Sequence, residues 1–186
     1  MPRLHILGAS GSGTTTLAAA LCARHGWMHV DTDDIFWLAT DPPFTDIRPR
    51  EERLVLMQAA LEETADWIVS GSLCGWGDVF IPRFDLVVFL SVPNEIRLKR
   101  LTAREAGRYG LENIAPGGKS HEQFIEFMVW ASHYDDGVPT MRSRALHEEW
   151  LAKLPCPVLR LEGLQPVAES VRAVEAALAD NLPPIG

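Results

Sequence analysis

The fold is decided near the start of the chain, by the glycine-rich stretch Gly8-Ala9-Ser10-Gly11-Ser12-Gly13-Thr14-Thr15. This stretch follows the spacing of a phosphate-binding loop, G-x-x-x-x-G-K-S/T, except that Thr14 stands in the place of the lysine. The apolar residues Leu4–Leu7 before it predict a strand, and Thr14–His25 after it predicts a helix. A strand, a glycine-rich loop and a helix in this order predict binding of a phosphorylated ligand, a nucleoside triphosphate in particular.

Most of the binding capacity of such a loop does not need a lysine. Glycines let the backbone curl with its N–H groups pointing inward, and the following helix adds unpaired N–H groups and the positive end of its dipole. We therefore expect nucleotide phosphates to contact Gly8, Ser10, Gly11, Ser12, Gly13, Thr14, Thr15 and Thr16. An ordinary glycine-rich turn between a strand and a helix is the alternative interpretation.

The substitution at Thr14 removes the ammonium group that would reach the β- and γ-phosphates. The hydroxyl of Thr15, which aligns with the magnesium ligand of the loop, is retained. Lysines are scarce in this chain, at Lys99, Lys119 and Lys153. We expect a replacement cation to be an arginine, or Lys119 from a glycine-rich segment.

Length and composition indicate a single globular domain. The chain has 186 residues, 47% of them hydrophobic and 23% charged, with a net charge of −8. The negative charge argues against nucleic acid or an anionic membrane as a partner, and no apolar run approaches the ~18 residues of a membrane span. The first strand leaves no room for a signal peptide, and the three separated cysteines suggest reduced thiols. We expect a cytoplasmic protein, monomeric or homodimeric.

Apolar runs that alternate with helical patterns predict an α/β fold. The predicted strands are Arg3–Leu7, Trp27–Val30, Trp67–Ser70, Asp85–Val92 and Val158–Leu161. Strands separated by helices form parallel sheets with right-handed crossovers, and ligands bind at the carboxyl ends of the strands.

Three carboxylates, Asp31, Asp33 and Asp34, follow the second predicted strand. Carboxylates this close repel each other unless a cation or a hydrogen-bond donor is nearby. Magnesium bound to a triphosphate is such a cation, and it usually takes one or two protein carboxylates. Capping of a short helix over 35–38 by Asp33 or Asp34 is the alternative, and both roles can coexist.

Arginines recur every three or four residues on one predicted helix, at Arg97, Arg100, Arg104 and Arg108. This spacing puts them on one stripe, where like charges are unfavourable without an anionic partner. Guanidinium groups bind phosphate through paired hydrogen bonds. The alternative is a solvated face that pairs with Glu95, Glu105 and Glu112.

A second set of residues borders the expected acceptor site. Arg48 and Arg53 lie at the start of the predicted helix that follows the loop around Asp41-Pro42-Pro43, and they are candidates for binding an anionic group of the acceptor. Trp76, between two glycines, is a candidate for covering a base or an apolar acceptor. Surface ion pairs for the arginines and a core position for Trp76 are the alternatives.

The chain resembles the adenylate kinase and shikimate kinase group of small P-loop kinases over about residues 3–180. The resemblance rests on the loop Gly8–Thr16, the acidic cluster, DLVVFLSVPNEIRLKRLTARE (85–105) and CPVLRLEG (156–163). It implies a three-layer P-loop NTPase fold with a five-stranded parallel sheet in a single domain, 1–186. It also implies a helical acceptor-binding insertion at about 35–66 and an arginine-bearing lid at about 104–122.

The same resemblance implies roles for individual residues. Thr15 and Asp31 would hold Mg²⁺, Asp33 would orient or deprotonate the acceptor, and Asp34 would contact it. Arg104 and Arg108 would clamp the triphosphate, and Arg100 would stack on the base.

These roles predict a transferase that moves the γ-phosphoryl of ATP, its co-substrate, to a small acceptor such as a nucleoside monophosphate. The alternative is a nucleotide-binding regulatory or sensor protein with little turnover, because Thr14 replaces the lysine. A structural protein that kept the fold and lost the site is a third possibility. The segment His121–His147, which includes Arg142, receives no role from the sequence.

Overall fold

The computed structural model describes residues 2–137 and 142–181. The predicted domain span, 1–186, and the unassigned segment 121–147 therefore extend partly outside the described residues. The strands are β1 (Arg3–Gly8), β2 (Met28–Asp31), β3 (Trp67–Ser70), β4 (Leu86–Ser91) and β5 (Val158–Glu162). The α-helices are α1 (Thr14–His25), α2 (Thr32–Phe36), α3 (Arg50–Glu62), α4 (Asn94–Tyr109), α5 (Leu111–Ile114), α6 (His121–Ser132), α7 (Arg144–Leu151) and α8 (Val167–Asn181). A 3₁₀ helix covers Asp78–Arg83.

The five strands form one parallel sheet in the order β2-β3-β1-β4-β5, which confirms the predicted fold class. In the centre of the sheet, Ile6 of β1 is in register with Ser70 of β3 and Val88 of β4. After β1 the chain forms β2 and β3 on one side of that strand. It then crosses over and forms β4 and β5 on the other side. Ligand sites in open parallel sheets form at such a reversal of direction, beyond the carboxyl ends of the strands.

Side chains of β1 alternate between the two faces of the sheet, as a strand covered on both sides requires. Leu4 and Ile6 pack with residues of α1 and α8. Leu7 belongs to the opposite cluster, with residues of α3 and α7. The two clusters make the three layers, helices–sheet–helices, that hold the carboxyl ends of the strands in place.

The structure shifts some predicted boundaries by one residue. β2 ends at Asp31, one residue beyond the predicted strand, so that this carboxylate stands at the strand end itself. The insertion after β2 contains α2, a loop closed by an antiparallel bridge between Trp37 and Ile47, and α3. Among the described residues, no helix combines the length and apolar character that crossing a bilayer would require.

Candidate functional site

A cavity of about 630 Å³ lies at the carboxyl ends of the strands. Its walls come from segments far apart in the chain: the glycine-rich loop, the start of α1, the end of β2, one side of α4 and the turn after β5. Its lining includes Ser10, Gly11, Ser12, Gly13, Thr14, Thr15, Thr16, Asp31, Asp33, Asp34, Phe44, Gly71, Arg100, Arg104, Arg108, Arg142 and Gly163.

The loop wraps tightly because its glycines occupy places where a side chain does not fit. Gly11 has φ +81°, and a Cβ there would lie 2.8 Å from the carbonyl oxygen of Arg97. Gly13, in the left-handed region, is the residue from which α1 begins. The first turn of α1 therefore directs unpaired backbone N–H groups of Thr14, Thr15 and Thr16 towards the cavity, as an anion-binding helix start requires.

The Thr15 hydroxyl donates a hydrogen bond to Oδ2 of Asp31 over 2.9 Å. A hydroxyl and a carboxylate that meet beside a phosphate loop are the donor types Mg²⁺ takes from proteins when phosphate and water complete its octahedron. Within the described residues no group of three or more His, Cys, Asp or Glu side chains could hold a metal ion alone. The pair therefore fits a magnesium ion that arrives with a triphosphate.

Asp31 has a second role at the start of α2. Its Oδ1 accepts a hydrogen bond from the backbone N–H of Asp33 over 3.0 Å, which makes Asp31 the N-cap of that helix. The cap and the contact with Thr15 use different oxygens of Asp31. The sequence prediction that Asp33 or Asp34 caps a helix over 35–38 is wrong in detail, because the helix begins earlier, at Thr32, and Asp31 is its cap. The short helix holds Asp33 and Asp34 on the cavity wall.

Asp33 lies in a mixed electrostatic environment. Its side chain reaches solvent through the cavity, yet the surrounding protein raises the pKa of this carboxyl above its usual range by desolvation. The charges of Asp31 and Asp34 act in the same direction, while the guanidinium groups of Arg142 and Arg104 oppose it. A carboxylate with a raised pKa is a stronger base, which suits a group that accepts a proton from a hydroxyl.

Two arginines of α4 share one buried partner. Glu105 is only 5% exposed, and its Oε1 lies 2.8 Å from Nε of Arg104 and 3.3 Å from Nη1 of Arg108. Arg108 also lies over the ring of Phe44, which has φ +64°, in the insertion loop. The pairing with Glu105 that the sequence offered as an alternative is therefore present, and both guanidinium groups line the cavity nonetheless.

Arg100 connects the phosphate loop to the turn after β5, the strand at one edge of the sheet. Its Nη1 donates to the carbonyl oxygens of Gly11 and Ser12 over 3.4 and 3.5 Å, and its Nη2 donates to Gly163 over 3.0 Å. The guanidinium thus lies between the phosphate loop and the turn after β5. Arg97, on the same helix, is fully buried and pairs with Asp135 over 2.8 Å instead of facing a ligand.

Three candidates for acceptor binding lie outside the cavity walls. Arg48 donates to the carbonyl oxygens of Ile35 and Trp37, which closes the insertion loop. Arg53 lies over the rings of Phe36 and Trp76. Trp76 is 4% exposed, belongs to the core and donates from Nε1 to Ser72, the environment that the core alternative describes. Lys119 is exposed and is absent from the described walls of the cavity.

The sequence missed Arg142 as a cavity residue. Its Nη2 lies 3.4 Å from the carbonyl oxygen of Gly8, the first residue of the loop, although 134 positions separate them. No periodicity or spacing marks this arginine, because it lies before α7 and belongs to no regular element. A search for basic residues beyond the lid, prompted by the missing lysine, is the signal that could have found it.

Comparison with known proteins confirms the resemblance to small P-loop kinases. The profile of a family described as "AAA domain" matches residues 5–122. An uncharacterized protein of Bacillus subtilis (strain 168), YqaC, is 49% identical over 178 residues, which cover 96% of this chain and 98% of that protein. The cytidylate kinase of Pyrococcus furiosus is 28% identical over 110 residues, 54% of this chain and 56% of that enzyme.

Solved structures agree on the fold. The shikimate kinase of Acinetobacter baumannii, in complex with shikimate, superposes with a TM-score of 0.56 at 18% identity. The superposition covers 98% of this chain and 96% of that chain. At this identity the likeness speaks for the arrangement of strands and helices.

Proposed function

The chain belongs to the AAA domain family, and from this premise we propose that it is a P-loop phosphotransferase that moves the γ-phosphoryl of Mg·ATP to a small hydroxyl-bearing or phosphate-bearing acceptor. One observation carries the proposal. The phosphate loop, the Thr15–Asp31 pair, the carboxylate of Asp33 and the arginines of α4 all line the same cavity. These are the parts that phosphoryl transfer needs, since positioning and charge stabilisation account for most of its rate.

The loop and α4 would bind the nucleotide. Backbone N–H groups between Gly11 and Thr16 would donate to the phosphate oxygens. Arg104 and Arg108, held together by Glu105, would lie over the transferring group from the other side. Arg100, fixed between the loop and Gly163, would lie beside the base.

Mg²⁺, when bound with the triphosphate, would screen the charge of the β- and γ-phosphates. Thr15 and Asp31 would hold it, directly or through water, because their oxygens already meet at the end of the loop. Asp31 keeps its other oxygen on the N–H of Asp33, so holding the ion does not require the start of α2 to unfold.

Asp33 would orient the acceptor and take its proton. In the step, an acceptor oxygen forms a bond to the γ-phosphorus while the bond from that phosphorus to the β–γ bridging oxygen breaks. ADP leaves with the electron pair of the broken bond, and the proton of an acceptor hydroxyl passes to Asp33. The raised pKa of Asp33 favours this role.

Cavity residues outside the phosphate loop support a class of acceptor. Acidic Asp33 and Asp34 together with Arg108 and Phe44 would bind a small polar molecule with at least one flat or apolar face. A nucleoside monophosphate has these features, and the likeness to cytidylate kinases supports it. Hydroxy acids such as shikimate also have the hydroxyl groups that Asp33 and Asp34 would bind.

Thr14 favours a second candidate function, a nucleotide-dependent regulator or sensor with little turnover. Loss of the loop lysine removes one stabilising charge from the transition state, and the loss of such a contact costs about 10²–10³-fold in rate in other enzymes. Binding by backbone N–H groups would persist in such a protein.

The deciding experiment measures ADP release from Mg·ATP against a panel of acceptors: nucleoside monophosphates, nucleosides, shikimate, gluconate and other small hydroxy acids. ADP release that depends on one acceptor class and exceeds the acceptor-free rate at least tenfold would establish the transferase and its substrate class. Tight ATP binding on the same sample, without acceptor-dependent release, would instead establish the regulatory function.

A further inference from the structure

A positively charged side chain from outside the loop, that of Arg142, reaches the first residue of the phosphate loop. Arg142 lines the cavity, and its Nη2 donates to the carbonyl oxygen of Gly8 over 3.4 Å. Gly8 begins the loop at the carboxyl end of the central strand β1. The guanidinium therefore lies in the same cavity as the loop whose own cationic position is filled by Thr14.

Arg142, like Arg100, has no carboxylate partner among the described residues, but unlike Arg100 it has a buried nitrogen that is left without a hydrogen bond. Among the described residues no ion pair within 4.0 Å involves it, and its buried Nε has no hydrogen-bond partner. By contrast, Arg97 and Arg144 pair with Asp135, and Arg104 and Arg108 pair with Glu105. A half-buried charge with an unused donor is costly unless a ligand completes it.

Arg142 also lines the cavity together with Asp33 and Asp34, the carboxylates that would bind the acceptor. The same side chain contacts Gly8, the first residue of the loop. Its guanidinium therefore shares one cavity with both the phosphate loop and the acceptor carboxylates.

The position of Arg142 is fixed by its neighbours in the chain and in space. Its guanidinium lies 5.9 Å from the ring of Trp130 on α6. The next residue, Ser143, is fully buried and caps α7 by accepting a hydrogen bond from the N–H of Leu146 over 3.2 Å. The backbone at this position is therefore held by a helix start, which limits how far the guanidinium can move.

From this placement we infer that Arg142 supplies, from beyond the lid, the positive charge that Thr14 does not, and that it binds the γ-phosphate of the triphosphate. The inference rests on the proposed function, since it assigns a further catalytic residue to that site. A planar guanidinium offers two parallel N–H donors to phosphate, whereas a lysine offers a point charge. Thr14 and Arg142 line the same cavity, so a triphosphate bound there would meet the guanidinium without needing a cation at position 14.

The test compares the affinity of the full chain for Mg·ADP with its affinity for Mg·AMP-PNP, a triphosphate that is not hydrolysed. The unaltered protein should bind the triphosphate more tightly than the diphosphate. In Arg142→Ala the affinity for AMP-PNP should fall by about 10–100-fold, the range for hydrogen bonds to charged groups, while that for ADP changes less than about twofold. Arg142→Lys should retain part of the preference.

Two further variants distinguish the effect of losing the positive charge from a general effect on folding. Thr14→Lys in the Arg142→Ala background should restore the preference for the triphosphate, since it returns a cation to the loop. Arg144→Ala, which removes an arginine two positions away that bonds Asp135 and Ser91, should leave the ratio of the two affinities unchanged. Thermal unfolding of each variant verifies that it is folded.

The outcomes distinguish this inference from the proposed function. An Arg142→Ala variant with an unchanged ratio, an equal loss for both nucleotides, or a higher KM for the acceptor alone would overturn it. Loss of the triphosphate preference in that variant, in a protein without acceptor-dependent turnover, would support Arg142 and reject the transferase. Failure of the unaltered protein to bind either nucleotide would reject both.

Discussion

The hydroxyl oxygen of Tyr134 lies 2.8 Å from Nδ1 of His147, and the other ring nitrogen of the same imidazole lies 3.3 Å from Oγ of Ser72. The three side chains connect the end of α6, the buried face of α7 and the loop after β3. Burial lowers the pKa of His147 to about 3 and raises that of the Tyr134 hydroxyl, so both stay neutral at physiological pH. This arrangement fixes α7, and with it the residue before its cap, Arg142.

Two buried histidines should make the protein less stable in mild acid. Burial lowers the pKa of His5 to about 4 and that of His147 to about 3. The unfolded chain binds these protons near pH 6.5, so their effect is absent above that value and grows as the pH falls towards 4. The free energy of unfolding should drop little between pH 7 and 6 and more steeply between pH 6 and 5, where the slope approaches about 1.4 kcal/mol per pH unit for each histidine; urea titration at pH 7, 6 and 5 measures it.

Replacement of one histidine isolates its share of that slope. In His5→Leu the free energy of unfolding should depend less steeply on pH between 6 and 5. The slope should decrease by the contribution of about one proton, roughly 1.4 kcal/mol per pH unit. His133→Gln is the matched control, because this histidine is on the surface near Asp136. An unchanged slope in His5→Leu would mean that the folded protein protonates His5 as readily as the unfolded chain does.

Thr15→Ala should raise the magnesium requirement of turnover. The change removes the hydroxyl that meets Asp31 and leaves the backbone N–H groups of the loop in place. We expect the concentration of Mg²⁺ for half-maximal ADP release to rise at least tenfold, about what the loss of one hydrogen bond to a charged group costs. Thr102→Ala, on the exposed face of α4, is the control. Equal magnesium curves for both variants would assign no metal role to Thr15.

Asp33→Asn should lower kcat by about 10²–10⁴-fold, the usual contribution of a general base. In the unaltered protein kcat/KM should decline as the pH falls through the raised pKa of Asp33, because the protonated carboxyl cannot accept a proton. The acidic limb should move to higher pH in Arg142→Ala, since the opposing charge is gone. Asp136→Asn, at an exposed site, controls for a general effect of charge. A limb that persists unchanged in Asp33→Asn belongs to another group.

Trp76→Ala should destabilise the fold by about 3–5 kcal/mol, since it empties a core position beside Arg53 and Phe36. Trp76→Phe should recover most of that stability, although it loses the hydrogen bond to Ser72. Val79→Ala, at a largely exposed position, should change the free energy of unfolding by less than about 0.5 kcal/mol. If Trp76→Phe unfolds normally but loses affinity for the acceptor, the tryptophan belongs to the site.

The sequence predicted the sheet well because periodicity and turn chemistry are local. β4 is nearly all apolar, and the structure places it inside the sheet with both faces covered. The loop was also predictable, since glycines at set spacings allow the left-handed backbone that Gly11 and Gly13 adopt. The loop alignment and the family resemblance assigned Thr15 and Asp31 to one magnesium site, and in the structure their side chains share a hydrogen bond.

Side-chain partners were harder to predict, because they depend on which elements meet. Arg97 and Arg100 are three positions apart on one helix, yet one is fully buried against Asp135 and the other lies beside the loop. Trp76, between two glycines, has the local pattern of an exposed loop and lies in the core. In each case the burial of the side chain is determined by contacts with an element that is distant in the chain.

By itself, the sequence determined the order of strands and helices, the phosphate loop with its missing lysine, and the acidic end of β2. These depend on residues within one turn or one strand of each other, where spacing and backbone preference act directly. Only the tertiary structure decided which charges share the cavity, and it brought Arg142 to Gly8 across 134 positions. The reason is physical: the packing of α6 on α4 and of α7 against the sheet sets that contact, and no local pattern contains it.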